Sequence, residues 1–182
     1  MSADGGRLGV VIRLSVRYGL ISASLALLAL IVFFYIGKHP FWIFPLFDIR
    51  IVLTIILLVV ALREVREYHL AGYLYFWQGM TGSFAFVFTM ALLGYAGVWL
   101  FGWIEPAFLT DYIAQGMKQL EALSPDALKE IGAPAVAELR KTLPETSLAW
   151  MARRYAVQTL VFGLFISVVI SVVLRRQPQI HE

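Results

Sequence analysis

DIRIVLTIILLVVALREVREY, residues 48–68, determines whether this chain crosses a bilayer three times or four. Its uncharged run covers only residues 51–62. As a helix that run is about 18 Å long, short of a hydrocarbon core of roughly 30 Å. Two readings extend it. One starts the helix at Phe41 and places Pro45, Asp48 and Arg50 inside the bilayer. The other uses Asp48 as an N-cap and continues through REVREY to Tyr68, leaving FWIFPLF, residues 41–47, as an aromatic segment in the interface. An ion near the bilayer centre costs about 2.5–3.5 kcal/mol even on lenient insertion scales, so the second reading is favoured, with a span over 49–68. On it Asp48 and Arg50 are helix-start residues at the membrane surface. Positions i and i+2 diverge by about 200° on a helix, so the two are not expected to meet. Arg63 and Glu67, at i and i+4, are expected to pair at the other end.

Outward from this segment the assignments are simpler. Residues 18–36 contain no charge and are long enough to span. Arg7, Arg13 and Arg17 precede them as in a signal peptide, but the apolar run is too long and GKHP follows in place of a cleavage site. Residues 78–104 form another uncharged run, ended by Glu105-Pro106, with Trp77, Trp99 and Trp103 near its ends, where indoles favour the headgroup region. A last span over 148–174 starts after Thr146 or Ser147 as N-cap and stops at Arg175-Arg176. Residues 105–146 form the one substantial extramembrane piece. There Leu109, Tyr112, Ile113, Gly116, Leu120 and Leu123 recur at helical spacing, Ser124-Pro125 starts a fresh helix and Gly132 stops it. These amphipathic pieces are expected to lie on the bilayer or against a partner.

The expected fold is therefore an all-α membrane protein, one integral domain over 1–182. It has four transmembrane helices and an amphipathic helical loop between helices three and four. The composition agrees: of 182 residues 60% are hydrophobic and 15% charged, with no cysteine, against roughly 45–50% and about 25% in soluble domains. Disorder, a disulfide framework and thiol-ligated zinc are excluded. An even number of spans puts both termini on one side. Seven arginines (7, 13, 17, 63, 66, 175 and 176) crowd short flanks there, whereas half of the eight opposing basic residues lie in the long loop. Short flanks dominate orientation, so both termini are expected to be cytoplasmic.

Chemistry is harder to find. No ionisable residue falls near a bilayer midplane on the favoured reading, and no proline breaks a span, which argues against a secondary transporter. His39, His69 and His181 are scattered, so no metal site is expected. No nucleophile, general base or cofactor loop stands out, and no enzyme activity or cofactor is expected. Arg50, Arg153 and Arg154 share one side and form a candidate lipid-phosphate site. Thr159, Gly163, Ser167 and Ser171, at strict four-residue steps, form a small-residue face for helix packing or for a partner. The basic balance needs no nucleic acid, since juxtamembrane arginines account for it.

R-x-x-R-E-Y at 63–68, Gly72 and Phe76, I-E-P at 104–106, M-K-Q-L-E-A-L-S-P at 117–125 and the basic end of the last helix together resemble the DUF4199 family. These are small four-helix bacterial membrane proteins of unknown function, common in Bacteroidota. The resemblance implies an inner-membrane location and carries over no catalytic residue. It also implies proximity to polyprenyl-phosphate glycosyltransferases. The functional expectation is a non-enzymatic accessory or scaffolding subunit of an inner-membrane complex, partnered by the bilayer and by another membrane protein or a second copy. The alternative is a small homo-oligomeric transporter or channel, with a water-filled path lined by Asp48, Arg50 and Gln78.

Overall fold

The computed structural model describes residues 2–42 and 48–177. Every regular element among them is helical: α1 (Ser2–Tyr35), α2 (Ile49–Glu64), α3 (Phe76–Ile104), α4 (Ala107–Glu121), α5 (Pro125–Ile131), α6 (Ala133–Thr142) and α7 (Leu148–Leu174). Single 3₁₀ turns occupy Pro40–Trp42 and Leu143–Glu145, and one π turn occupies Val65–His69. Three helical stretches, Gly6–Tyr35, Phe76–Ile104 and Leu148–Leu174, are long and apolar enough to cross a membrane. The second helix does not clearly make a fourth: its α-helical part has 16 residues, about 24 Å at 1.5 Å per residue. Local chemistry sets both limits. The Asp48 side chain accepts the Arg50 N–H and starts the helix, and the ladder slips into the π turn at Val65. The interfacial segment expected over 41–47 lies mostly outside the described residues, as do Pro45 and His181.

Close contacts fix the helix directions. Gly82 of α3 lies against Val11 and Ser15 of α1, and Gly97 against Leu27, so α1 and α3 run parallel. Gly79, Gly94 and Gly102 meet Ser171, Tyr155 and Leu148 in reverse order, so α7 runs antiparallel to α3. α2 runs with α7: Arg50 bonds to the Tyr155 carbonyl near one end and Arg66 to the Leu174 carbonyl at the other. The result is an up-down-up-down bundle of α1, α2, α3 and α7, in which small residues allow the close backbone approach that lipid does not drive. Ser22 of α1 and Thr54 of α2 both reach the Met90 sulfur of α3, so three helices meet at one polarizable atom.

α2 begins late. Arg50 lies beside Tyr155 and Thr159, seven to eleven residues into α7, so the first two to three turns of α7 have no α2 alongside. At that end α4 folds back over the bundle. Its apolar face, Phe108, Tyr112 and Gly116, is buried in a cluster with Leu30, Phe34, Val98, Met151 and Tyr155. The face of α4, expected to lie on the bilayer or a partner, is instead covered by the chain's own bundle end. α5 and α6 contribute only Val136 to the buried set.

Two local expectations are corrected. Asp48 and Arg50 do meet: Arg50 Nε donates to Asp48 Oδ2 at 2.7 Å and its terminal nitrogen also bonds to that carboxylate. The helical offset does not apply, because Asp48 is extended (φ −71°, ψ 115°) and outside the helix. Both are largely enclosed by the bundle, their side chains keeping 15% and 19% exposure for Arg50 and Asp48 respectively. At the other end Glu67 pairs with Arg66 at 2.9 Å and not with Arg63. The π turn changes the angular step, so positions four apart no longer stack. Glu64, one residue before the turn, accepts instead from Tyr18 of α1.

Candidate ligand cleft at the head of the second helix

The volume left by the late start of α2 is a cleft of about 240 Å³. Ala26, Leu30 and Phe33 of α1 line one wall and Phe162 of α7 faces them. Phe41 and Trp42 border it, Asp48 and Arg50 stand at the α2 end, and Arg154, Tyr155 and Gln158 complete the α7 side. One wall is therefore apolar and the other carries two guanidinium groups.

The two arginines differ in what they have left to offer. Arg50 spends all five of its N–H groups inside the protein. Nε and one terminal nitrogen hold Asp48, while the second hydrogen of that nitrogen reaches Gln158 Oε1 at 3.2 Å. The other nitrogen donates to the Tyr155 carbonyl at 3.2 Å and to Thr159 Oγ1 at 3.3 Å. The guanidinium also sits 4.2 Å over the Tyr155 ring. Arg50 is thus neutralised and saturated. Among the described residues Arg154 makes one protein hydrogen bond, donating to the Tyr112 hydroxyl at 3.0 Å. It lies near the Trp150 and Phe41 rings, and among the described residues no carboxylate pairs with it. Arg153, the third member of the expected trio, is exposed and does not line the cleft. The structure brings Arg50 and Arg154 together and leaves Arg153 apart.

Tyr112 joins the cleft to an anchor that holds α4 in place. Trp42 stacks on Tyr112 at 5.0 Å and 13°, and its indole N–H donates to the Tyr112 carbonyl at 3.1 Å. His39 is 2% exposed. Its Nε2–H donates to the Phe108 carbonyl at 2.9 Å, and its Nδ1 accepts the Phe41 N–H at 3.3 Å. That second bond needs a lone pair on Nδ1, which fixes the neutral tautomer. Burial pulls the imidazole down from 6.5 to about 4, opposed by the Phe108 carbonyl and more weakly by Asp111. Sequence reading had no means of finding this anchor, because Phe108 and Tyr112 are about seventy positions from His39.

The small-residue face of α7 points inward. Thr159, Ser167 and Ser171 are 6%, 0% and 0% exposed, and Gly163 is buried. A Cβ on Gly163 would fall 2.4 Å from Val87 Cγ1 of α3, and Ser171 Oγ lies 3.3 Å from Ser83 Oγ. Thr159 and Ser167 hydroxyls return to the carbonyls four residues back, at 2.8 and 2.6 Å. Gln78 is remote from the cleft. At the opposite end of the bundle its side chain accepts the Tyr75 N–H at the start of α3.

Fold and site together define an all-helical protein with at least three bilayer-length apolar helices and a cationic cleft at one end of its bundle. The chain belongs to the DUF4199 family, described as protein of unknown function, whose model matches residues 17–176. No curated protein and no solved structure matches it.

Proposed function

We propose that this chain is a four-pass protein of the bacterial inner membrane, with both termini cytoplasmic, that serves as a non-enzymatic accessory subunit of a membrane complex. The antiparallel run of α2 beside α1 supports the fourth pass, since it returns the chain to the end where α1 began. The seven flanking arginines gather at that same end, which supports the orientation.

The observation that carries the accessory reading is the uneven attachment of the extramembrane helices. α4 is fixed to the bundle by His39, Trp42 and its own aromatic face. α5 and α6 ride on it with Leu128, Ile131 and Leu139 exposed at 37%, 47% and 48%. A rigid platform with an uncovered apolar edge suits a partner that meets it outside the bilayer. The family resemblance suggests a polyprenyl-phosphate glycosyltransferase as that partner. Photo-crosslinking residues placed at positions 128 and 139 in intact membranes test this. A discrete product with a different chain is expected. Products with lipid alone would overturn the reading. A self-product accompanied by ion flux in liposomes would favour the homo-oligomeric transporter instead.

A further inference from the structure

The charges of the cleft do not cancel. Asp48 is spent on Arg50, and Arg50 has no donor left. Among the described residues Arg154 has no carboxylate partner and gives up only one of its N–H groups. Residues 43–47, which join Trp42 to Asp48, are IFPLF and contain no ionisable side chain, so they supply no counter-charge. Among the described residues one guanidinium without a carboxylate partner thus shares the cleft with a wall built from Ala26, Leu30 and Phe33. The cleft reaches the outer surface of the bundle at Phe162 opposite, which is 36% exposed. A guanidinium fork binds two oxygens of one oxyanion in its plane, and it binds more strongly beside low-dielectric walls than in water.

We infer that the cleft binds the phosphate head of an anionic amphiphile, with Arg154 holding the phosphate and the α1 wall and Phe162 receiving the first part of its chain. A volume of about 240 Å³ lies below the roughly 300–1,000 Å³ of pockets that enclose a drug-sized ligand. It suits a headgroup and the start of a chain whose remainder lies in the bilayer. Tyr112, which accepts from Arg154 and is clamped by Trp42, orients the guanidinium, so it acts as a positioning residue. The inference rests on the membrane reading and is independent of the accessory reading, since the crosslinking experiment can fail while lipid binding persists.

Native mass spectrometry of the full chain in detergent tests it, with phosphatidylglycerol, phosphatidylcholine and inorganic phosphate as separate probes. The wild type should retain one phosphatidylglycerol in preference to phosphatidylcholine. Arg154→Gln should lower that retention at least tenfold, and Arg153→Gln should leave it unchanged. Arg154→Lys, which keeps the charge without the fork, should fall between the two and guards against a folding defect in the first variant. Equal loss in Arg153→Gln, or no loss in Arg154→Gln, overturns the site. Binding of inorganic phosphate with no retained phospholipid overturns the amphiphile as its ligand.

Discussion

Asp48 caps the second helix with the same carboxylate that holds Arg50 two residues further on. One side chain therefore ends the loop, neutralises a half-buried cation and sets the depth at which α2 begins. The cleft follows from that depth, because the space above Arg50 is the volume α2 leaves between α1 and α7. Sequence, local structure and site are joined at this one residue.

The two roles of Asp48 separate by substitution. Asn can still cap a helix but cannot neutralise a guanidinium. Asp48→Asn should destabilise by about 2–3 kcal/mol, somewhat below the roughly 3–5 kcal/mol for breaking a fully buried pair, because these side chains keep some exposure. Asp48→Ala should cost about 1 kcal/mol more through loss of the cap. Adding Arg50→Gln to Asp48→Asn should recover part of the loss by removing the orphaned charge. Thermal melting in detergent reads all three. A double variant no better than Asp48→Asn would show that the pair is not the source.

The inward face of α7 makes a second prediction. Gly163 allows α7 to touch α3 at Val87, where an added Cβ would come within 2.4 Å. Overpacking of this kind costs about 1–3 kcal/mol. Gly163→Ala should lower the melting temperature, Gly163→Leu should prevent recovery of folded protein, and Val87→Ala should restore part of the stability of Gly163→Ala. If Gly163→Leu instead stays folded and loses only a co-purifying partner, the face serves another subunit.

The sequence was most legible where structure is local. Ser124 and Ser147 cap α5 and α7, Gly132 ends α5 with φ of 89°, and Asp48 caps α2. Each of these needs only its neighbours in the chain. The ends of the last span were also readable, since Leu148–Leu174 is bounded by a cap and by a pair of arginines. Pairings were misread where a regular helix was assumed across its ends: Asp48 with Arg50 lies just before a helix start, and Arg63 with Glu67 straddles a π turn. His39, Trp42 and Tyr112 gave no signal, because their meaning depends on α4 folding back across the bundle. The same holds for Arg50 and Arg154, which carry equal charge in the sequence but only one of which keeps it unmatched.

His39 gives the chain a pH dependence with a definite sign. The imidazole is neutral when folded down to about pH 4, whereas in the unfolded chain it takes up a proton near 6.5. Between those values the unfolded state binds more protons, so stability falls as the pH falls. The full effect approaches about 3 kcal/mol, at about 1.4 kcal/mol per pH unit. Protonation would also turn Nδ1 into a donor facing the Phe41 N–H. Melting temperatures at pH 7.5 and 5.0 should therefore differ more for the wild type than for His39→Gln. Equal slopes would mean that the imidazole is not held neutral. His39→Gln should also be less stable at pH 7.5, because it loses the ring's contacts with Phe108 and Tyr112.

Gly116 tests whether α4 is fixed to the bundle by Trp42. A Cβ there would lie 2.5 Å from Trp42 Cζ2 and 2.7 Å from Leu143 Cδ2, so even alanine must displace both the indole and the end of the leucine. Displacing the indole removes its stack on Tyr112 and its bond to the Tyr112 carbonyl together. An opening cost lowered by about 1.4 kcal/mol multiplies the open population tenfold, and proteolysis follows that population when reclosing is fast. Gly116→Ala should therefore speed tryptic cleavage at Lys118 about tenfold while the bundle's melting temperature changes little. Trp42→Ala should do the same by losing the anchor itself. Combining the two should be little worse than either alone, because the clash with the ring disappears and only the flexible end of Leu143 still has to shift. Additive acceleration in the double variant would place the constraint on α4 at Leu143 instead, and a wild-type rate in Gly116→Ala would mean that α4 does not depend on this contact.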